Sequence, residues 1–302
     1  MNRRDGKRGI CGETDLLRVA WAGLHFGEEP PVTGKRGSGT VFFTGCTLGC
    51  SFCQNYQISQ TGLGGGVSVS ELTEMMLGLE RQGAENINLV TGTHFVPHIV
   101  MALGDAKRKG LAVPVVWNTS GYENGETLKL LEEHIDVYLT DMKCVDSSLS
   151  AGLMRARDYP EVSIDAIDTM VGQKRLKIVD GRIEEGVILR HLFLPWAPEN
   201  TVKFLRLFRK RWYGKALLSL MFQYIPPSHL EGKEELRERV HKNQEERIIR
   251  LLDELGIEEG LIHDVEEDNS WEPDFLRNPP FPASLSRTVW HYRGSQRANR
   301  IV

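Results

Sequence analysis

Three cysteines, Cys46, Cys50 and Cys53, stand in one short stretch, Thr44-Gly45-Cys46-Thr47-Leu48-Gly49-Cys50-Ser51-Phe52-Cys53-Gln54-Asn55. The spacing is C-x-x-x-C-x-x-C. Three thiolates on one flexible turn can wrap a single iron–sulfur cubane. A complete [4Fe–4S] site takes four cysteines, so three ligands leave one iron open, which suits chemistry better than electron transfer alone. A Cys₃His zinc site would need a distant His25 or His94, and structural zinc prefers a second cysteine pair that is absent here. A disulfide framework is a poor fit, because the chain has five cysteines in 302 residues, sparse and odd in number. Three unrelated buried cysteines are also disfavoured, because glycines flank them. Cys11 and Cys144 are expected to be buried thiols without a role. Too few cysteines remain for a second cluster.

The elements that must hold such a loop show in the hydrophobic pattern. Short apolar runs alternate with amphipathic stretches. The strands are Val41–Phe43, Ile87–Val90, Val113–Trp117, Val137–Thr140, Val187–Phe193 and Leu217–Tyr224. Ser68 and Glu71 form a capping box ahead of Leu72, Met75, Met76 and Leu79. Further helices fit Ile99–Lys109, Leu128–His134, Val202–Arg211 and Lys233–Leu255, with one or two more in the long connection Cys144–Gly186. Strand–helix alternation implies parallel strands with helices outside. Six units are too few for a closed barrel of roughly 250 residues. The expected fold is therefore α/β, a partial, splayed (β/α)6 TIM-like barrel over residues 39–255. Residues 1–38 form an N-terminal extension and 256–302 an irregular C-terminal segment.

In such a barrel, function gathers at the C-terminal ends of the strands. Thr91-Gly92-Thr93-His94 follows the second strand, Asn118-Thr119-Ser120-Gly121 the third and Asp141-Met142-Lys143 the fourth. Arg190 sits on the fifth, and Gln223-Tyr224 ends the sixth. A ring of such groups suits a polar cofactor. Each position also has a plain structural explanation: a strand-end ion pair for Asp141 and Lys143, solvent for Arg190, a satisfied core histidine for His94.

With its strand-like lead Gly39–Phe43, the aromatic before Cys53 and Asn55 after it, the cysteine loop resembles that of the radical S-adenosylmethionine (SAM) superfamily. The resemblance spans roughly residues 39–225 and implies a [4Fe–4S] cluster on Cys46, Cys50 and Cys53, with SAM on the open iron. It also implies reductive cleavage of SAM to methionine and a 5′-deoxyadenosyl radical that takes a hydrogen atom from substrate. Within the superfamily the chain looks like the pyruvate formate-lyase activating enzyme branch, on Cys50-Ser51-Phe52-Cys53-Gln54-Asn55, Asp141-Met142-Lys143, Ile188-Leu189-Arg190-His191 and Asn118-Thr119-Ser120-Gly121. By carry-over, Lys143 and Arg190 meet the SAM carboxylate, and Asp141 and Asn118 meet its polar edge or a monovalent cation. Phe52, Asn55, Gly92, Thr93, His94 and Ser120 complete the implied SAM contacts. No catalytic residue is assigned. The chain departs from the branch at Gly92-Thr93-His94, where many relatives have Gly-Gly-Glu for the SAM ammonium, and at Tyr224-Ile225-Pro226, where a histidine is common.

The partners so implied are a flavodoxin- or ferredoxin-like electron donor and a glycyl radical enzyme to be activated. The competing readings are a radical SAM enzyme acting on a free small molecule and a non-catalytic metal-binding module. Forty per cent apolar and 26% charged residues fit an ordinary globular chain. A net charge of −4 points to neither nucleic acid nor membrane. No apolar run approaches the ~20 residues of a membrane helix, and no secretory signal follows the basic start, so a cytoplasmic location is expected. Residues 21–39 are taken as a surface segment, with His25 and Glu28 as outlying site candidates. The aromatic tail from Trp271 to His291 is a candidate lid over the barrel.

Overall fold

The computed structural model describes residues 3–230, 234–265 and 272–294. The chain opens with strand β1 (Arg18–His25), a short helix α1 (Pro30–Thr33) and strand β2 (Ser38–Phe43). After the cysteine loop come α2 (Tyr56–Ser59), β3 (Gly65–Gly66) and α3 (Val69–Arg81). The repeating part continues with β4 (Ile87–Val90), α4 (Val96–Arg108), β5 (Val115–Thr119), α5 (Gly125–Leu131) and β6 (Val137–Asp141). Next are α6 (Ser147–Met154), α7 (Tyr159–Gln173), β7 (Lys177–Val179), β8 (Arg182–Leu192), α8 (Pro198–Arg211) and β9 (Leu217–Met221). The last elements are α9 (Lys242–Leu255), β10 (Gly260–His263) and β11 (Ser286–His291).

Strands β2, β4, β5, β6, β8, β9 and β10 pair in parallel, in that spatial order. The sheet is open between β10 at one edge and β11 at the other, so the fold is a partial TIM-like barrel. It runs one parallel strand beyond the six expected. Strand β10 is only four residues long, with alternate side chains exposed, which left little apolar signal. The expected capping box is present: Ser68 Oγ accepts from Glu71 N at 3.1 Å, and Glu71 Oε2 accepts from Ser68 N at 2.7 Å. The long connection, expected to hold one or two helices, holds two, α6 and α7. It also leads into a hairpin, β7–β8, whose two-residue turn Asp180-Gly181 has φ of 51° and 77°. Paired positive φ at Asp-Gly is the geometry that matches the twist of a tight hairpin.

Residues 21–39, expected at the surface, are mostly packed into the structure. Strand β1 is buried over seven of its eight residues and pairs antiparallel with β2. The segment after it turns under the barrel. Val32 of α1 is fully buried among Val116, Val137, Leu139 and Ile188, the lower inward residues of β5, β6 and β8. Asn86 holds it there, donating from Nδ2 to Val32 O at 2.6 Å. α1 thus plugs the N-terminal mouth of the barrel.

The tail is also ordered. Strand β11 pairs antiparallel with β1, and Trp21 Nε1 donates to Thr288 Oγ1 at 2.9 Å. Between β10 and β11, Phe275 and Phe281 join Trp21, Phe42, Ile58 and Val90 in one apolar cluster. Gln57 of α2 clamps this segment, donating to Asp274 Oδ1 at 3.1 Å and accepting from Phe275 N at 2.7 Å. Trp271, also part of the aromatic tail, lies outside the described residues. Phe275 is fully buried, with its ring centroid 5.5 Å from that of Phe42. Phe275→Ala should therefore cost about 3–5 kcal/mol of stability, measured by urea unfolding. A loss below about 1 kcal/mol would show that the tail is not part of the core.

Candidate active site

Strand β2 delivers the cysteine loop at its C-terminal end, and backbone bonds hold it on three sides. Gly45 N donates to Ile58 O at 3.0 Å, and Cys46 N to Cys11 O at 3.2 Å. On the far side Ser51 N donates to Leu153 O at 2.8 Å, at the end of α6. Gly45 has φ +76°, and a Cβ there would lie 2.5 Å from Glu13 Cγ and 2.6 Å from the Cys11 carbonyl, so this position requires glycine. The three sulfurs face one cavity of about 530 Å3. Cys46 Sγ accepts from Leu48 N at 3.4 Å, and Cys53 Sγ lies 3.3 Å from Ser59 Oγ.

Burial pushes all three thiols up, Cys46 to about 12, while the Lys143 ammonium opposes the rise at each. Buried thiolates need a strong positive partner, and a metal centre supplies one. Among the described residues no three His, Cys, Asp or Glu side chains converge on a point as a single ion would need. A cubane offers separate corners, so its thiolates need not converge. The donor set therefore suits a cluster.

The opposite wall comes from the parallel strands. Register sets Asp141 of β6 beside Arg190 of β8, and Arg190 beside Ser219 of β9. Arg190 Nε donates to Asp141 Oδ1 at 2.8 Å, and its Nη2 to Asn118 Oδ1 at 2.7 Å. Lys143 Nζ donates to Asp141 Oδ2 at 2.5 Å. Burial would raise the Asp141 carboxyl, but Arg190 and Lys143 outweigh it and hold the group below the usual range. Tyr159, fully buried, donates from its hydroxyl to Ser120 O at 2.7 Å and accepts from Lys143 N at 2.9 Å. A Cβ on Gly121 would sit 2.3 Å from Asp141 O. That glycine lets the turn after β5 touch the end of β6.

Of the expected cofactor contacts, Phe52, Asn55, Asn118, Ser120, Asp141, Lys143 and Arg190 line the cavity with the cysteines. Gly92, Thr93 and His94 are not among the lining residues. Glu123 draws their loop toward β5, its Oε1 accepting from Thr93 Oγ1 at 2.7 Å and Thr119 Oγ1 at 2.6 Å. His94 stands behind the cysteine loop, its Nε2 2.6 Å from Thr44 O. Burial lowers its pKa to about 4, so the ring is neutral and donates to that carbonyl. His25 and Glu28 do line the cavity, with His25 against Phe281 at a centroid distance of 4.4 Å. Glu29 and His263 line it as well. Sequence patterning missed both, because neither follows a strand in a recognised motif. Cys144 is fully buried and does not line the cavity.

Residues 40–178 match the family model for the Radical SAM superfamily. The match supports a radical SAM superfamily domain over those residues. That superfamily uses a [4Fe–4S] cluster and SAM. The chain is 27% identical over 268 residues to "Uncharacterized protein MJ0674" of Methanocaldococcus jannaschii, covering 86% of this chain and 73% of that protein. In structure it is similar to SuiB of Streptococcus suis, with a TM-score of 0.52 and 12% identity over 75% of this chain. The chain spans about half of SuiB, 48%, and the likeness shows the fold alone. A domain of pyruvate-formate lyase-activating enzyme from Bacteroides vulgatus aligns over 57% of this chain and 92% of its own, at 12% identity and a TM-score of 0.40, too low to place the radical SAM domain in a branch. No helix among the described residues is long and apolar enough to cross a membrane.

Two outcomes follow from this geometry. His94→Ala leaves the Thr44 carbonyl without its donor and should cost about 1–3 kcal/mol in urea unfolding. An unchanged midpoint would remove His94 from the support of the loop. His25 and His191 are both pressed to about 4 by burial, below the ordinary 6.5. The unfolded chain then binds more protons than the folded one between these values, so stability should fall as pH drops from about 6.5 toward 4. Equal unfolding free energies at pH 7 and pH 5 would contradict this.

Proposed function

We propose that this protein is a radical SAM enzyme acting on a free small molecule held inside the barrel. The observation that carries the reading is that the cysteine loop, the Asp141–Lys143–Arg190 group and the tail residues Pro273 and Phe281 line one cavity. In this reading Cys46, Cys50 and Cys53 hold the cluster. When bound, the cluster supplies the electron that cleaves SAM into methionine and a 5′-deoxyadenosyl radical. Lys143 and Arg190 orient the SAM carboxylate, for which Asp141 now stands in as their partner. Lys143 stays charged: burial works against the ammonium, but the Asp141 carboxylate outweighs it and raises its pKa. Phe42, Phe275 and Phe281 keep water from that side, which protects a reactive intermediate.

Two features favour a small substrate over a protein loop. α1 plugs the barrel from below, and the segment clamped by Gln57 walls its side. Activation of a glycyl radical enzyme is the second reading, supported by the Asp141-Met142-Lys143 and Asn118–Gly121 patterns. An electron donor of the flavodoxin or ferredoxin kind is part of either.

Anaerobic reconstitution should load about four irons per chain. Cys46→Ala, Cys50→Ala or Cys53→Ala should abolish loading, whereas Cys11→Ala and Cys144→Ala should not. Stoichiometric zinc without iron uptake would overturn the reading. Lys143→Ala and Arg190→Ala should each weaken SAM binding roughly tenfold or more, as loss of a charge-assisted bond does; calorimetry checks this. Mixing reduced enzyme and SAM with a glycyl radical enzyme of the same genome should give no glycyl doublet in the EPR spectrum. A doublet would establish the activase reading instead.

A further inference from the structure

The cavity wall formed by the β1–α1 connection carries more negative charge than its neighbours neutralise. Glu28 and Glu29 stand there side by side. Glu28 accepts from Asn88 Nδ2 at 3.0 Å and lies 3.6 Å from an Arg190 nitrogen. Glu29 is 4% exposed, and its Oε1 has only long contacts, Ser219 Oγ at 3.4 Å and Arg190 Nε at 3.7 Å. Its Oε2 is buried with no hydrogen-bond partner among the described residues. On β10, the His263 ring also lines the cavity, and its Nε2 is likewise buried without a partner.

Arg190 cannot serve everything around it. Its short bonds go to Asp141 and Asn118, and Lys143 is committed to Asp141. Two cations in the wall thus face three carboxylates: Asp141, Glu28 and Glu29. A SAM carboxylate taken up by Lys143 and Arg190 would widen that deficit. Burying a carboxylate without a hydrogen-bond donor is costly, and an orphaned oxygen on a cavity-lining side chain is where a ligand's donor belongs.

We propose that the substrate carries a cationic nitrogen, a guanidinium or a primary ammonium, that docks on Glu28 and Glu29, with Glu29 Oε2 as its main acceptor and His263 Nε2 beside it. This rests on the small-molecule reading above and names the class of that substrate. Burial raises both glutamate carboxyls above the usual range, against the opposing pull of Arg190. A planar guanidinium suits the pair best, because it can offer parallel N–H bonds to a carboxylate.

The test uses n-butylguanidinium and its neutral isostere n-butylurea as probes. Calorimetry is run on the anaerobically prepared full-length protein, before and after cluster loading and SAM addition. Butylguanidinium should bind at least tenfold more tightly than butylurea, and Glu29→Gln should erase the difference while leaving SAM affinity unchanged. Glu28→Gln, a second isosteric variant, should reduce it. Glu29→Gln should melt close to the wild type, since Glu29 meets Arg190 only at 3.7 Å and its Oε2 has no hydrogen-bond partner among the described residues. Equal binding of the two probes to the wild-type protein would overturn the proposal without recourse to any variant. So would a preference that survives Glu29→Gln, or a Glu29→Gln protein that loses SAM affinity instead; the last would assign the pair to the SAM ammonium. Guanidinium preference in a protein that loads no iron would sink the radical SAM reading and leave the cation site standing. Iron loading and SAM cleavage without the preference would do the reverse.

Discussion

Arg190 is the charge around which the interior is arranged. A guanidinium buried in a barrel is tolerated only when its donors are met and its charge is balanced. Here the balance comes from three separate parts of the chain. Asp141 lies beside it in the sheet, Asn118 stands two strands away, and Glu28 and Glu29 reach it from the β1–α1 connection. The register β6–β8–β9 is what places these groups at one height. A slip of one residue would turn Arg190 out of the cavity and leave three carboxylates without it.

The same interior divides into three zones of different chemistry. Soft thiols gather at the end of β2, where Cys11, Ile58 and Leu153 fix the loop by its backbone and leave the sulfurs to the cavity. Paired charges occupy the ends of β6 and β8. Carboxylates with too few donors lie toward the plugged end. Lys143 links the first two zones, since it bonds Asp141 and its charge acts on all three cysteines. A cofactor spanning iron and a carboxylate partner would follow that line, and its substrate would meet the carboxylates beyond. The aromatic cluster of Trp21, Phe42, Phe275 and Phe281 closes one side, joining the two ends of the chain over the barrel.

Much of this was legible in the sequence where local pattern and tertiary position agree. The parallel core, the capping box at Ser68, the cysteine loop and the strand-end Asp141 and Lys143 each announce themselves through spacing. What failed depended on contacts distant along the chain. Strand β1 reads as part of an N-terminal extension because its partners, β2 and β11, cannot be inferred from periodicity. Glu28 is only an outlying candidate in the sequence and Glu29 is not singled out, since nothing local says that α1 turns under the barrel. The Asp180-Gly181 hairpin turn was a readable signal, passed over because it interrupts an α/β rhythm. His94 follows a strand as a ligand should, yet Glu123, thirty residues on from Thr93, pulls that loop out of the cavity.

In the function proposed here, the cysteine loop and the Asp141–Lys143–Arg190 group serve one cofactor assembly, with an open iron facing SAM. The most direct measurement is the EPR spectrum of the reconstituted, reduced protein before and after SAM is added. The account predicts a [4Fe–4S]⁺ signal whose g-values shift on SAM addition in the wild-type protein, and a much weakened shift at the same SAM concentration in Arg190→Ala. A cluster signal unchanged by SAM, in protein that calorimetry shows to be saturated with it, would contradict the account.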